Sequence, residues 1–211
     1  MIPKIIHIIW IGDQSKIPVR CLDSWKQKNR DYKVRVWGNN DVQKTNWKNY
    51  RQLHDMLIKK DFAGAADVMR YEILFNEGGI YIDADSICLN PLEDWLLNCN
   101  AFAAYEQEHM RNNLIANGFI GSVPQSEAMR LCIEEVATKD CTENKLAWLI
   151  TGPLLITDVF FKKKADLTVY PSHFFMPKHH TGYESNVTGH RFADHIWGSD
   201  TGYDNMNERV K

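Results

Sequence analysis

Two carboxylates follow a short apolar run near the middle of the chain. Asp83 and Asp85 stand one residue apart, directly after the run Ile-Tyr-Ile at residues 80–82 and a glycine pair at residues 78–79. This pattern predicts that a helix ends at the glycines and that a buried strand leads into the acidic pair. Ligands of α/β sheets bind beyond the carboxyl ends of strands. Two carboxylates there need a cation to balance them, and Mg²⁺ or Mn²⁺ with substrate phosphates supplies it. An ordinary acidic turn is the alternative.

A second group of polar side chains lies on a predicted helix just before this strand. Apolar residues recur at helical spacing over residues 62–74, and Asp61 suits the N-cap position. Asp67, Arg70 and Tyr71 are three and four residues apart, which places them on one helical face. A carboxylate and a guanidinium are suitable groups for hydrogen bonding to sugar hydroxyls. A surface ion pair that adds little stability is an equally good interpretation.

An aromatic side chain follows the first predicted strand. Residues 4–9 contain four isoleucines, which predict a buried strand, and Trp10 comes directly after Ile9 and before a turn at Gly12. A nucleobase needs a flat partner, and stacking on an aromatic ring contributes about 1–3 kcal/mol. The chain has seven tryptophans, most of which must pack in the core. Taken alone, Trp10 is therefore better interpreted as a core residue.

The C-terminal segment, residues 171–211, is rich in aromatic residues and histidine and has few secondary-structure signals. Long irregular segments of compact domains are often functional loops, so we expect an active-site tail or lid. Zinc binding is conceivable, but the histidine spacings match no familiar zinc pattern. We favour one histidine that supplements the cation at the acidic pair. The histidines of this segment are His173, His179, His180, His190 and His195.

The composition excludes several classes of protein. The chain has 211 residues and a formal net charge of -2, and it shows no basic stripe of the kind that binds nucleic acid. The sequence has no GxSxG, GxxxxGK[ST] or GxGxxG motif, which argues against a serine hydrolase, a P-loop enzyme and a dinucleotide-dependent dehydrogenase. Its five scattered cysteines favour a reducing cytosol. No run approaches the roughly 18 apolar residues of a membrane span.

Strands and helices alternate along the chain. Besides the elements already described, strands are predicted at residues 32–37, 101–105, 118–123 and 167–170. Further helices are predicted at residues 19–28, 126–138 and 153–161. This order predicts an α/β fold with a mainly parallel sheet, formed by a single domain over residues 1–211.

Several blocks together resemble one enzyme family. Residues 3–12, 65–71 and 78–85 resemble the glycosyltransferases with a sugar-binding region that contains a DXD motif, glycosyltransferase family 32. This family includes capsule and O-antigen transferases and yeast-type initiating α-1,6-mannosyltransferases. Residues 117–121, 151–153 and 195–199 also look like family blocks. Each block is modest alone, but the ordered set covers most of the chain and is specific.

The resemblance implies a GT-A fold, which is a Rossmann-like α/β/α sandwich with a small second sheet. In this fold the tryptophan after the first strand stacks on the base of a nucleotide-sugar donor. That role falls on Trp10, beside Ile9. The Asp and Arg of the central helix contact the ribose and the transferred sugar, which maps to Asp67 and Arg70, with Tyr71 next to them.

The resemblance also implies how the acidic pair works. Asp83 would touch ribose or sugar and assist with the metal, Ala84 would line the donor site, and Asp85 would ligate the metal directly. A histidine and a serine of the tail supply further metal or phosphate contacts in the family. These map to His195 and Ser199.

The sequence therefore predicts a retaining, metal-dependent glycosyltransferase that uses Mn²⁺ or Mg²⁺. It would move a hexose or N-acetylhexosamine from a UDP-sugar, with GDP-mannose as the other candidate donor, to a saccharide or lipid-linked saccharide in surface polysaccharide synthesis. We expect a cytoplasmic protein, with peripheral contact at the inner membrane face and no nucleic-acid or obligate protein partner. Two other classes stay open: a non-catalytic nucleotide-sugar or carbohydrate binder, and a metal-dependent phosphohydrolase.

Overall fold

Strands and helices alternate in the part of the chain that the structure, a computed structural model, describes, residues 1–198. The strands are β1 (Ile5–Ile9), β2 (Lys33–Trp37), β3 (Gly79–Ile82), β4 (Ser86–Cys88), β5 (Ala101–Tyr105), β6 (Ile115–Ser122), β7 (Thr168–Tyr170) and β8 (Ala193–His195). The helices are α1 (Val19–Lys28), α2 (Asn39–Lys44), α3 (Tyr50–Ile58), α4 (Phe62–Glu77), α5 (Glu127–Ala137), α6 (Ala147–Ile150) and α7 (Pro153–Lys163).

Six strands form the central sheet, in the order β2-β1-β3-β6-β5-β7. β1 lies parallel to β2 and β3, and β5 lies parallel to β7, whereas β6 runs antiparallel to both its neighbours. Five of the six strands therefore point the same way. β4 and β8 pair antiparallel in a separate small sheet. The predicted α/β fold, with a mainly parallel sheet and a small second sheet, is confirmed.

The sheet separates two apolar cores. Ala101 and Ala103 of β5 belong to the core under α3, α4, α5 and α7, whereas Phe102 and Ala104 belong to the core on the opposite face, which contains α1. Successive side chains of a strand point to opposite faces, so each core takes alternate residues. Helices on both faces of the sheet make the sandwich that the alternating elements predicted.

Helix α4 runs through the centre of the molecule. Asp61 caps its start, because the carboxylate accepts a hydrogen bond of 2.9 Å from the Gly64 N–H. It ends at Gly78, where φ is +65°, a conformation that glycine adopts without strain. Residues 64–74 are buried without interruption. The predicted cap and stop are confirmed, and the helix has no solvent-facing side along this stretch.

The tail contains more order than its sequence indicates. A short 3-10 turn occupies Ser172–Phe174, and β8 follows. β8 has only three residues and obtains its strand hydrogen bonds from β4, more than a hundred positions earlier in the chain. A local sequence pattern therefore carries little signal for it. Within residues 1–198, no helix has the length and apolar character needed to cross a membrane.

A buried histidine joins β1 to its surroundings. The Trp37 Nε1–H donates to Nδ1 of His7 at 3.1 Å, and His7 Nε2 lies 2.9 Å from the Gly78 carbonyl oxygen. Since a tryptophan N–H can only donate, Nδ1 is the acceptor and Nε2 carries the proton. Burial lowers the pKa of His7, which favours this neutral ring. His7 thus ties the end of α4 to the sheet.

We predict that His7→Phe lowers the free energy of unfolding by about 2–3 kcal/mol at pH 7.5, because the Trp37 N–H and the Gly78 carbonyl lose their partner inside the core. The folded pKa of His7 lies below the unfolded value of about 6.5. The wild type should therefore lose stability as the pH falls through 6.5, because the unfolded chain takes up the proton first.

Urea unfolding at pH 7.5 and 5.5 measures both effects. The pH-dependent loss should be smaller in His7→Phe than in the wild type. Equal losses in both proteins would show that His7 is not the group that couples folding to pH.

Candidate active site

A cleft of about 1040 Å³ opens where β1 and β3 end. Ile9 lines it from the end of β1, and Asp83 lines it directly after β3. The polar face of α4 contributes Asp67 and Arg70, and the tail contributes His195. The cleft thus lies at the carboxyl ends of parallel strands, where α/β sheets bind their ligands.

The acidic pair sits on a turn that is fixed at both ends. The Asp83 N–H donates to the Gly118 carbonyl of β6 at 2.9 Å, and the Ser86 N–H and hydroxyl both donate to the Asp83 carbonyl, at 3.1 and 2.6 Å. Ser86 is paired with His195 in the small sheet. The same strand pairing that anchors the turn therefore carries His195 to the acidic pair.

Three side chains meet at this turn. His195 Nε2 lies 3.2 Å from Asp83 Oδ2 and 3.3 Å from Asp85 Oδ1. One ligand atom from each of the three residues lies within 4.8 Å of the others. The Gly198 N–H donates to Asp85 Oδ2 at 2.7 Å. Two carboxylates and an imidazole in this arrangement fit a divalent cation that prefers oxygen and tolerates nitrogen, such as Mn²⁺.

The charges of these three groups are coupled. Burial alone would raise the pKa of Asp83, but the Arg70 guanidinium and the His195 ring outweigh it and hold this pKa well below its usual range. Burial raises the pKa of Asp85. For His195, burial is outweighed by Asp85 and Asp83, which raise its pKa to about 9.

The proton of His195 can be placed. The Trp197 N–H donates to Nδ1 at 3.1 Å, which favours a neutral ring, whereas the two carboxylates favour the imidazolium. In both states Nε2 carries a proton that points at the carboxylates. Ligation of a metal through Nε2 requires that proton to leave. If the ring then stays neutral with its proton on Nδ1, the Trp197 amide has to turn away.

A buried guanidinium connects the acidic pair to α4. Arg70 lies 3.0 Å from Asp67 Oδ1 and 3.4 Å from Asp83 Oδ1, and its Nη1 donates to the Asn117 carbonyl at 2.5 Å. Its guanidinium also lies 4.2 Å from the ring centre of Tyr81, whose hydroxyl donates to Asp83 Oδ1 at 2.7 Å. One cation thereby fixes two carboxylates.

Both oxygens of Asp67 are occupied. The Asn117 amide donates to Oδ1 at 2.8 Å, and the Thr151 hydroxyl donates to Oδ2 at 3.0 Å. Burial raises the pKa of Asp67 to about 6, although Arg70 opposes the shift. A carboxylate held on both sides in this way is a positioning group with little freedom to act as a nucleophile.

Two glycines leave room for these carboxylates. A Cβ on Gly118 would lie well inside van der Waals contact with Asp83 Oδ2. A Cβ on Gly152 would lie 2.9 Å from the backbone of Trp148 and 3.0 Å from Asp67 Oδ2. These contacts give a physical reason for the glycines in the blocks at residues 117–121 and 151–153.

The structure places the predicted donor residues in three different positions. Ala84 lines the cleft. Trp10 lines a neighbouring apolar cavity of about 230 Å³, which shares Ile9 and Ala66 with the cleft. Ser199 lies outside the described residues.

Tyr71 lies next to Asp67, on the face that the helical spacing predicted, but behind the cleft lining. Its side chain is buried in the core, and its hydroxyl donates to the Thr151 carbonyl at 2.9 Å. It does not line the cleft, but it shares the partners Asn117 and Thr151 with Asp67. Through Thr151, Tyr71 helps to position Asp67.

Sequence reasoning missed three residues of the network. Asn117, Tyr81 and Thr151 each bond a carboxylate of the site. Asn117 and Thr151 begin the two glycine-containing blocks. A polar residue directly before a glycine in each block was the sequence signal that could have identified them. Tyr81 was interpreted only as a strand residue.

Comparisons with known proteins agree with this geometry. Residues 18–102 match the family described as "Glycosyltransferase sugar-binding region containing DXD motif". The chain is 37% identical over 131 residues to an uncharacterized glycosyltransferase of Acanthamoeba polyphaga mimivirus, which covers 59% of this chain and 51% of that protein. It is 34% identical over 106 residues to the initiation-specific alpha-1,6-mannosyltransferase of Candida albicans, which covers 46% of this chain and 27% of that protein.

A solved structure shares the fold at low sequence identity. The UDP-bound glycosyltransferase domain of the YGT toxin superposes with a TM-score of 0.58 at 10% identity, over 80% of this chain and 79% of that chain. The chain thus has the GT-A fold, with the acidic turn at the carboxyl ends of its parallel strands. More particularly, residues 18–102 and the relatives named above make the chain similar to the DXD-motif glycosyltransferases of the family 32 type. It spans about half or less of the length of the curated relatives named above.

We predict that Gly118→Ala weakens Mn²⁺ binding in the presence of UDP by tenfold or more, because the added methyl displaces the Asp83 carboxylate. Gly38→Ala is the matched control, since a Cβ there meets nothing closer than the Trp10 carbonyl at 3.8 Å. Titration calorimetry of both variants measures the effect. Wild-type affinity in Gly118→Ala would mean that the position of Asp83 does not matter for the cation.

Proposed function

We propose that the protein is a metal-dependent, retaining glycosyltransferase that takes a sugar from a nucleotide-sugar donor. One observation carries the proposal. Asp83 and His195 line the cleft beside the buried pair of Asp67 and Arg70, and the buried Asp85 lies directly behind them, with Oδ1 3.3 Å from His195 Nε2. This combination offers a cation site next to groups that hold hydroxyls, as the transfer of a sugar from a diphosphate requires.

The cavities support a nucleotide donor. The apolar cavity beside Trp10 adjoins the large cleft, so a base there would lie within reach of a diphosphate at the acidic pair. The YGT toxin domain that shares the fold binds UDP. A UDP-sugar is therefore the favoured donor, and GDP-mannose is the other candidate. The transferred sugar would be a hexose or an N-acetylhexosamine.

The side chains have separate roles in the proposed reaction. Asp85 and Asp83 would hold the cation, with His195 and Ser199 as further contacts to it or to the phosphates. When bound, that cation stabilises the charge that develops on the leaving diphosphate. Asp67 and Arg70 hold the ribose and the transferred sugar.

The acceptor hydroxyl attacks the anomeric carbon on the face that the diphosphate leaves, and its proton passes to the departing phosphate. Both oxygens of Asp67 are already bonded, which supports a front-face reaction without an enzyme nucleophile. We propose that the acceptor is a saccharide or lipid-linked saccharide of a surface polysaccharide, and that the protein works in the cytoplasm at the inner membrane face.

We predict that Asp85→Asn lowers Mn²⁺-dependent donor hydrolysis by at least about a hundredfold while leaving the melting temperature near that of the wild type. The variant keeps the volume of the side chain but removes the charge that a cation needs. EDTA should silence the wild type, and Mn²⁺ should restore it. Asp83→Asn should be nearly as severe, and His195→Ala should cost tenfold or more.

These predictions are tested by measuring the nucleotide that the wild type and the variants release from a panel of UDP- and GDP-sugars. Full activity in EDTA contradicts the metal role. Binding of nucleotide without any turnover identifies a non-catalytic binder. Release of phosphate from simple esters, with no need for a sugar, identifies a phosphohydrolase.

We predict that Trp10→Ala raises the KM for the donor by one to two orders of magnitude, because stacking of a base contributes about 1–3 kcal/mol. Trp10→Phe should keep much of the affinity, since a flat ring remains. Nucleotide binding measured by calorimetry in both variants distinguishes stacking from packing. Unchanged binding in Trp10→Ala would reduce Trp10 to a packing residue of the apolar cavity.

A further inference from the structure

A second group of metal-ligating side chains lies on the other side of the Trp197 ring, whose centre is 4.6 Å from that of His195 and 5.1 Å from that of His180. Glu106 follows β5 directly, and His179 and His180 belong to the tail. One ligand atom from each lies within 4.8 Å of the others. Glu106 and His180 also line the cleft, whereas neither takes part in the network around Arg70. Nothing in the proposed transfer reaction uses these three side chains.

The distances within this group fit a bound ion better than a hydrogen bond. His179 Nε2 lies 3.4 Å from Glu106 Oε1, beyond the usual 2.7–3.2 Å range of an N–H···O bond. Two ligands bound at about 2.0–2.1 Å to one tetrahedral ion stand roughly 3.4 Å apart. The observed separation is therefore that of neighbouring ligands of such an ion.

The surroundings orient the ligands. His179 Nδ1 lies 2.8 Å from the Thr181 hydroxyl and 3.4 Å from the Thr181 N–H. With the ring proton on Nδ1, the hydroxyl accepts a hydrogen bond and the Nε2 lone pair faces Glu106, and the longer contact with the Thr181 N–H would be given up. Metal-binding histidines are commonly held by such a contact at the other nitrogen. His179 and Glu106 are buried, and His180 is exposed to the cleft, so the group has a closed side and an open side.

One nearby cation must be considered. Arg111 Nε lies 3.4 Å from Glu106 Oε1, and the Arg111 guanidinium also lies 4.9 Å from the ring centre of Trp148. An ionised carboxylate has about four lone-pair sites, so Glu106 can keep this contact and still offer a ligand atom. Arg111 then orients Glu106 as Thr181 orients His179.

We propose that Glu106, His179 and His180 form a second metal site, selective for a divalent ion of the Zn²⁺ and Co²⁺ type. Two imidazoles and one carboxylate suit these ions, and three protein ligands leave a fourth position for water on the cleft side. The ion would join the tail to the end of β5 at the edge of the cleft. This site is chemically distinct from the oxygen-rich acidic turn.

Metal binding to the EDTA-treated full chain tests the proposal. Equilibrium dialysis should give two equivalents of Zn²⁺ in the wild type and one in the double variant Asp83→Asn/Asp85→Asn. Co²⁺ in that double variant should show the intense visible absorption of a tetrahedral site. Adding His180→Asn, at an exposed position, or the isosteric Glu106→Gln should weaken the remaining ion by at least about tenfold.

His190→Asn is the matched control. His190 also lies in the tail and contacts a glutamate, with Nδ1 at 3.1 Å from Glu93 Oε1, but it belongs to neither three-residue group. It should leave both ions in place. A double variant of the acidic turn that binds no Zn²⁺ overturns the proposal, and so does an equal loss of the ion in His190→Asn and His180→Asn.

Should the double variant fail to fold, the comparison is made in the wild-type background. There His180→Asn must lower the stoichiometry from two ions to one. A stoichiometry equal to that of the wild type contradicts the second site. These readouts need no sugar donor, so they are independent of whether the transferase activity is found.

Discussion

The Arg70 guanidinium is the interaction on which the rest of the site depends. It is buried between Asp67 and Asp83 and is bonded to the Asn117 carbonyl. Removing a charged group from water costs several kcal/mol, and a buried ion is tolerated only where its partners are well placed. Here each partner is placed by a different element: Asp67 by α4, Asp83 by the turn after β3, and Asn117 by β6. The buried guanidinium therefore requires α4, the turn after β3 and β6 to be correctly placed relative to one another.

The same need to place the two carboxylates explains why glycine stands at positions 118 and 152. Asp83 can lie beside β6 because Gly118 has no side chain, and Asp67 can lie at the start of α7 because Gly152 has none. The His7 ring, on β1, donates to the carbonyl of Gly78, the residue that joins α4 to β3. The polar site is thus supported by close backbone approaches at its edges, and a single methyl group at either glycine would move a carboxylate.

Much of the fold could be predicted because its signals are local. The Asp61 cap, the stop at Gly78 and the alternation of strands and helices all appear in short stretches of sequence. The acidic pair was visible for the same reason. What could not be predicted depends on distant partners. The pairing of β4 with β8, the antiparallel direction of β6 and the bonds of Asn117 and Thr151 to Asp67 have no local pattern. Helical spacing predicted that Tyr71 lies beside Asp67, but spacing alone does not show which residues of a buried helix line the cleft.

The pairing of β4 with β8 determines the order in which the parts of the site are assembled during synthesis. Asp83 and His195 are 112 residues apart, so the ribosome makes the acidic turn well before the strand that carries His195. Closing so long a loop is slow compared with forming the local elements. A nascent chain can therefore build its sheet and its acidic turn well before the imidazole arrives. The three-residue group is complete only after β8 has been made and has paired with β4, and a cleavage that released β8 would take His195 away from the acidic turn.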